Sequence, residues 1–289
     1  MLTKEQVTIA DRLSYVRHAA SVGSHYGRKV GLMVMLRGYF EDSAQGKPKP
    51  AVMVVAGFVS SVERWEGFES EWKEHVLDRF GLSHFRMSDC LTHPPRGPFK
   101  NLTSAQCDEA AFTAMLIIGK WIDAGMGTAV IVDHFKDLIK YASKKRHPFI
   151  RNAYSFCFFS TVEHLIRTSE GELVSEGEKI AAYFDQGSIG RVGRNWEKFK
   201  RTMDPKDHLA GVTFDDDQLL YPLQAADAVA HLSCKLFLCR QFPSYDPKGQ
   251  LQEQCQRLLQ PLPSQVRLEW YDRENLEPFM TEVKKKGWF

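Results

Sequence analysis

Gly38-Tyr39-Phe40-Glu41-Asp42-Ser43 follows directly on Gly31-Leu32-Met33-Val34-Met35-Leu36-Arg37. A short apolar run bounded by glycines reads as a buried strand, and this one carries two carboxylates at its far end. Working outward, three more acids sit in comparable places. Asp133 follows Thr128-Ala-Val-Ile-Val132, Asp185 follows Ile180-Ala-Ala-Tyr-Phe184, and Asp227 lies inside Leu223-Gln-Ala-Ala-Asp-Ala-Val-Ala-His231. Burying a lone carboxylate costs several kcal/mol unless a cation or hydrogen-bond donors compensate it. Several acids at the ends of apolar segments therefore suggest a shared partner, and a divalent cation is the most economical one.

The rest of the chain predicts strands that open as a hairpin and then alternate with helices. Residues 3–27 carry Val7, Ala10, Leu13, Val16 and Ala20 at helical spacing, an amphipathic helix ahead of the first strand. The polar turn 44–50 joins that strand to a second apolar run over 51–59. Glu63 to Phe80 places Trp65, Phe68, Trp72, Val76 and Phe80 on one helical face, and a short strand is expected at 84–87. Pro94, Pro95, Gly97 and Pro98 make 91–101 a loop. Helices are expected over 104–124, 148–168, 195–203 and 222–239, with strands at 127–132, 179–184 and 208–214. Asp215-Asp216-Asp217 reads as a solvated loop, one of whose acids could approach the site, and beyond Phe242 the prolines predict irregular chain ending in a charged tail. The fold class is α/β, a mixed sheet with helices on its faces. The expected organisation is an N-terminal helical extension over 1–30, the main domain over 31–242 and a C-terminal extension over 243–289 packed on it.

Composition narrows the function classes. With 289 residues, 43% of them hydrophobic, the chain can bury a large core. A net charge of +2 gives no global attraction to nucleic acid or membrane, so any basic surface is local. The six cysteines show neither a Cys-X-X-Cys pair nor ligand-like Cys/His spacing and read as reduced thiols. No apolar run approaches the roughly 20 residues of a membrane helix, and the first residues lack a secretion-signal pattern. A cytoplasmic protein is expected.

Phe40-Glu-Asp-Ser43, Ala56-Gly-Phe-Val59, Phe85-Arg-Met-Ser-Asp89, Val130-Ile-Val-Asp133, Phe184-Asp-Gln186 and Leu223-Gln-Ala-Ala-Asp-Ala-Val-Ala230 come in a telling order. In that order they resemble the family catalogued as domain of unknown function 3800. The resemblance runs from about residue 34 to 240 and is most specific at Leu223-Gln-Ala-Ala-Asp227. It implies a ribonuclease H-like fold and nuclease activity. Two features depart from the family pattern: Glu41 and Asp42 stand where Asp and then Glu are usual, and Arg86 stands near where a His is often found, the nearest here being His84.

Phosphodiester hydrolysis needs an activated water and neutralisation of charge on the phosphate, which divalent ions held by carboxylates supply. The expected ligands of Mg²⁺ or Mn²⁺ are Glu41 or Asp42, then Asp185 and Asp227, with Asp133 as a fourth and Asp89 as a further candidate. His134 or His231 is the candidate general acid or base. Arg191, Arg194, Lys198 and Arg201 are the expected nucleic-acid contacts, with Lys144-Lys145-Arg146 as a second basic group. Acids past strands also serve as turn formers and helix caps, histidines as core residues, and basic runs as solvated faces. The sequence leaves a second function class open, a non-catalytic binding or regulatory domain on the same fold with incomplete metal ligation.

Overall fold

The structure, a computed structural model, describes residues 34–45, 52–141, 152–168, 179–185, 196–204 and 207–285. The expected helix over 3–27 and the Lys144–Arg146 group lie outside them.

The opening hairpin forms as predicted. Strand β1 (Val34–Gln45) pairs antiparallel with β2 (Val52–Ser61), placing Glu41 opposite Ala56. Helix α1 (Val62–Glu71) starts at Ser61, whose Oγ accepts from the Arg64 N–H, and continues as π-helical turns over Trp72–Asp78. Trp65, Phe68, Trp72 and Val76 are fully buried, so this helix covers the sheet with the face its spacing foretells. Helix α2 (Met87–Cys90) is a single turn. Helix α3 (Ser104–Trp121) is closed at its start by a reciprocal capping box between Thr103 and Gln106. Strand β3 (Ala124–Ile131), helices α4 (Val132–Tyr141) and α5 (Ala153–Thr168), β4 (Lys179–Asp185), α6 (Trp196–Met203) and β5 (Leu209–Asp215) follow. The long helix α7 (Tyr221–Gln241), α8 (Gln250–Leu259), β6 (Val266–Tyr271) and α9 (Arg273–Lys285) complete the chain.

The six strands form one sheet in the order β5-β4-β1-β2-β3-β6. β2 runs antiparallel to both of its neighbours, while the pairs β1/β4, β4/β5 and β3/β6 are parallel. The protein is thus α/β, a mixed sheet flanked by helices. Strand residues alternate between two cores. Tyr39, Val54, Ala56, Phe58 and Tyr183 belong to the core shared with α1, α3, α7 and α8. Leu36, Phe40, Val55, Val59 and Phe184 belong to the core on the other face, with α5. The aromatic pairs repeat this division: Tyr39 stacks on Tyr183 at 4.9 Å and Phe40 on Phe184 at 5.0 Å. Helix α7 is buried along almost its whole length, which explains why it is apolar nearly all round.

Three expectations are corrected. Residues 84–87 form no strand: Arg86 has extended backbone, but the neighbouring amides of Phe85 and Met87 bond to side chains of α7 instead of a partner strand. Strand β3 ends at Ile131, so Asp133 lies in the first turn of α4 and not at a strand end. The chain beyond Phe242 is regular, not irregular. Leu251, Cys255, Leu258 and Leu259 bind α8 to the first core at helical spacing. Strand β6 extends the same sheet beside β3, so the C-terminal segment is part of the main architecture.

Candidate active site

The arrangement starts from the two acids of β1. Because strand residues alternate, Glu41 points to the face of Tyr39 and Ala56, under α7, and Asp42 to the face of Phe40 and Val55. Asp42 accordingly bears on the Cys157 thiol in α5, helping burial to hold that thiol well above its ordinary range. The choice left open between Glu41 and Asp42 is thus decided for the α7 face in favour of Glu41.

Strand β4 brings the second acid. Its parallel register pairs Tyr39 with Tyr183 and Phe40 with Phe184, so Asp185 is the next residue along beside Glu41. Neighbouring strands lie about 4.8 Å apart, and Asp185 shares the parity of Tyr183, so both carboxylates share the α7 face. Strand β5 adds a third, since Asp215 pairs with Asp185. Asp215 is therefore strand, not solvated loop, and its Oδ1 accepts from the Asp216 N–H at 2.8 Å. Asp217, expected to be solvated, is buried and takes an Arg86 Nη2–H bond at 2.7 Å.

Helix α7 brings the last acid and explains the Leu223-Gln-Ala-Ala-Asp227 motif. Gln224 and Asp227 are three residues apart and share a helix face. The Gln224 Oε1 accepts from Trp72 Nε1–H at 3.1 Å and from the Phe85 N–H at 3.0 Å, while its Nε2 donates to the Asp217 carbonyl at 3.2 Å. Asp227 Oδ2 accepts from the Met87 N–H at 3.0 Å. One amide side chain thus ties α7 to the π-helical turns, to the segment before α2 and to the loop bearing Asp217. The sequence assigned no role to Gln224, marked Arg86 only as a departure from the family pattern, and read Asp217 within a run of which one acid could approach the site. The signal for Gln224 was its polar amide at a fully apolar position of the motif.

Electrostatics record how these groups converge. Burial, and then the charges of Asp185, Asp227, Asp42 and Asp217, push the Glu41 carboxyl up to about 10. The Oε2 atom of Glu41 is buried without a hydrogen-bond partner. Burial also pushes Asp227 up to about 6, against the pull of the Met87 N–H and the Arg86 charge, with Asp217 and Asp89 adding to the rise. Asp89, in α2, pairs with Arg96 at 3.6 Å. A carboxyl group that stays protonated at neutral pH marks a site short of positive charge. Even so, among the described residues no three His, Cys, Asp or Glu side chains are gathered closely enough to hold a metal ion.

The remaining candidates fall elsewhere. Gly127 of β3 stands level with Glu41 through Ala56, two strands away. Strand β3 runs on for four residues, roughly 13 Å, from Gly127 to Ile131, and Asp133 lies beyond it in the first turn of α4. It pairs there with Lys136 at 3.2 Å. Its neighbour His134 has a buried Nδ1 without a hydrogen-bond partner and shares that distant place. His231, one turn beyond Asp227 on α7, is buried, which with the Lys235 charge pushes it down to about 4. A histidine pushed down in this way is a poor proton donor near pH 7. Of the expected nucleic-acid contacts, Arg201 is exposed at the end of α6, Lys198 belongs to the same helix, and Arg191 and Arg194 lie outside the described residues. No disulfide joins the six cysteines, all of them buried. Among the described residues no helix is long and apolar enough to cross a membrane. No family model matches the chain, and no curated protein matches it either.

Proposed function

We propose that this protein is a divalent-metal-dependent nuclease or phosphodiesterase, acting on nucleic acid, on a ribonuclease H-like fold. The observation that carries the reading is Glu41: a carboxylate on a central strand, with one buried oxygen lacking any partner, that feels the charges of Asp185, Asp227 and Asp217 on its own face and of Asp42 on the other. The sheet supports the fold assignment, with one antiparallel strand set among parallel ones and a helix carrying an acid across the end of β1. Oxygen donors alone in this group suit Mg²⁺ or Mn²⁺. Glu41, Asp185 and Asp227, drawn closer together than they stand here, would hold the ion, with Asp217 at its margin and Asp42 on the opposite face of the sheet. Such an ion, when bound, supplies Lewis-acid neutralisation of phosphate charge and a water of lowered pKa.

The chain's own residues set the conditions for that chemistry. The Met87 N–H orients Asp227, and Gln224 fixes the segment from which that N–H comes. Tyr39 and Tyr183, stacked one row behind the acids, are buried and form an aromatic floor there. Arg201, with Lys198, Arg191 and Arg194 before it, is the proposed contact to the nucleic-acid backbone.

One observation favours a non-catalytic binding or regulatory domain instead. Arg86 already supplies positive charge to Asp217 and Asp227, and the carboxylates are not drawn tightly together. End-labelled DNA, RNA and hybrid oligonucleotides incubated with Mg²⁺, Mn²⁺ or EDTA separate the two. The nuclease reading expects cleavage that requires the ion and disappears in Glu41→Gln. Binding of oligonucleotide without cleavage under any of these ions overturns it in favour of the second.

A further inference from the structure

Arg86 is held in place by its neighbours. The amide before it, on Phe85, donates to Gln224 Oε1 at 3.0 Å, and the amide after it, on Met87, donates to Asp227 Oδ2 at 3.0 Å. Two side chains of one helix turn therefore clamp the backbone on either side of Arg86. Its guanidinium uses one arm for Asp217 Oδ2 at 2.7 Å, and the side chain is 44% exposed, which leaves part of it open to solvent at the edge of the acidic group. Arg86 also bears electrostatically on Asp227 and Asp89.

That arrangement addresses a difficulty which the acidic group creates. A phosphodiester approaching Glu41, Asp185 and Asp227 meets like charge, and something cationic must receive it. A planar guanidinium with a fixed backbone and spare donors matches two phosphate oxygens at once. Side-chain entropy is already lost to the Asp217 bond, so little ordering remains when the phosphate arrives. We infer that Arg86 is a substrate-binding residue of this site, held by Asp217 so that its free N–H groups grip a phosphate of the nucleic-acid strand beside the acidic group. The inference deepens the nuclease reading and rests on it for the substrate class.

The full chain is compared with Arg86→Ala, Arg86→Lys and Asp217→Asn. Binding of a fluorescein-labelled single-stranded oligonucleotide is measured in EDTA and in Mg²⁺ across a salt series, and Mn²⁺ binding to the protein alone by calorimetry. Arg86→Ala is expected to weaken oligonucleotide binding about tenfold at low salt and to make the slope of log K against log salt shallower by about 0.7 to 0.9, one phosphate contact. Its Mn²⁺ affinity should be unchanged or tighter, since a cation leaves the neighbourhood of the acids. Arg86→Lys should keep the slope and lose part of the affinity, because charge remains and the two-pronged geometry does not. Asp217→Asn, which retains the guanidinium, should keep the slope as well.

An unchanged slope in Arg86→Ala, or no measurable oligonucleotide binding by the wild-type protein, overturns the inference. So do equal losses in Arg86→Ala and Asp217→Asn that track a common fall in stability, which would make the pair a structural latch. Should Arg86→Ala fail to fold, the affinity of Arg86→Lys decides: a loss supports the contact, and an affinity equal to wild type overturns it. Failure of the two readings is distinguishable: cleavage by the wild type with an indifferent Arg86→Ala removes the contact alone, whereas a lost slope in a protein that never cleaves removes the nuclease alone.

Discussion

Asp185 and Asp133 each come just after an apolar stretch of the same sheet, and in the sequence they look alike. Asp185 completes β4 beside β1, on the face of α7, where its charge raises the Glu41 carboxyl. Asp133 comes after β3 has ended, on the first turn of α4, two strands from β1 and paired with Lys136. The difference lies in the neighbours. A strand-end acid becomes part of a site only when register and parity bring it alongside another, and one whose chain has turned into a helix is satisfied by that helix's N-terminus.

The comparison breaks first at activity. Glu41→Gln, Asp185→Asn or Asp227→Asn should each lower metal-dependent cleavage on the order of a thousandfold, about 4 kcal/mol of barrier, measured as kcat/KM on a labelled oligonucleotide. Equal activity in Asp185→Asn would place Asp185 with Asp133 as a local structural acid.

The next effect is on stability. Gln224→Leu leaves the buried Trp72 and Phe85 N–H donors without their acceptor and should cost about 2 to 4 kcal/mol in a denaturant titration. A loss under about 0.5 kcal/mol would mean that Gln224 does not anchor the segment carrying Arg86 and Met87.

A pH dependence follows in the metal-free protein. The folded Glu41 carboxyl is pushed up from 4.5 to about 10. The unfolded chain therefore ionises first as pH rises, and the stability tied to the protonated carboxyl is complete below about pH 4.5 and lost progressively towards pH 10. His231, pushed down from 6.5 to about 4, acts oppositely: its contribution is complete above pH 6.5 and lost as pH falls towards 4. The difference between wild type and Glu41→Gln isolates the first term. Unfolding free energies at pH 5 and pH 8 should show the wild type losing more on the alkaline side than the variant. Parallel curves would contradict the assignment of Glu41.

The smallest effect belongs to Asp133. Asp133→Asn removes an acid from a helix first turn and an exposed ion pair, so it should cost about 0.5 to 1 kcal/mol of stability. Its cleavage rate should stay within about twofold of wild type, as expected for a position remote from the site. A thousandfold loss would bring Asp133 back into the ligand set.

Much of the architecture was legible because it is written in short-range patterns. The hairpin, the aromatic face of α1, the β4 and β5 strands and the length of α7 all follow from periods of 2 and 3.6. The acids Glu41, Asp185 and Asp227 were singled out by the cost of burying charge. Which face each acid takes was not legible, since Glu41 and Asp42 are adjacent and only the register with β2 and β4 separates them. Which of Asp215, Asp216 and Asp217 is buried was not legible for a related reason: three consecutive aspartates look solvated until Arg86, 131 residues away, is placed against one of them. The C-terminal elements were hidden by Pro243, Pro247, Pro261 and Pro263, which lie outside α8 and β6 and only punctuate them. The extended segment around Arg86 was legible as extended but not as unpaired, because its amides are taken by side chains of α7.

The central claim, that Glu41 is a carboxylate awaiting a cation, is tested most directly by carboxyl NMR. With ¹³C-labelled glutamate, and Glu41→Gln to assign the resonance, the metal-free protein is titrated over pH and then with Mg²⁺ at about pH 7.5. The account predicts a Glu41 carboxyl still protonated at neutral pH, titrating near 10, that shifts to its ionised position as Mg²⁺ is added. A Glu41 resonance that ionises near the ordinary 4.5 and does not respond to Mg²⁺ would contradict it.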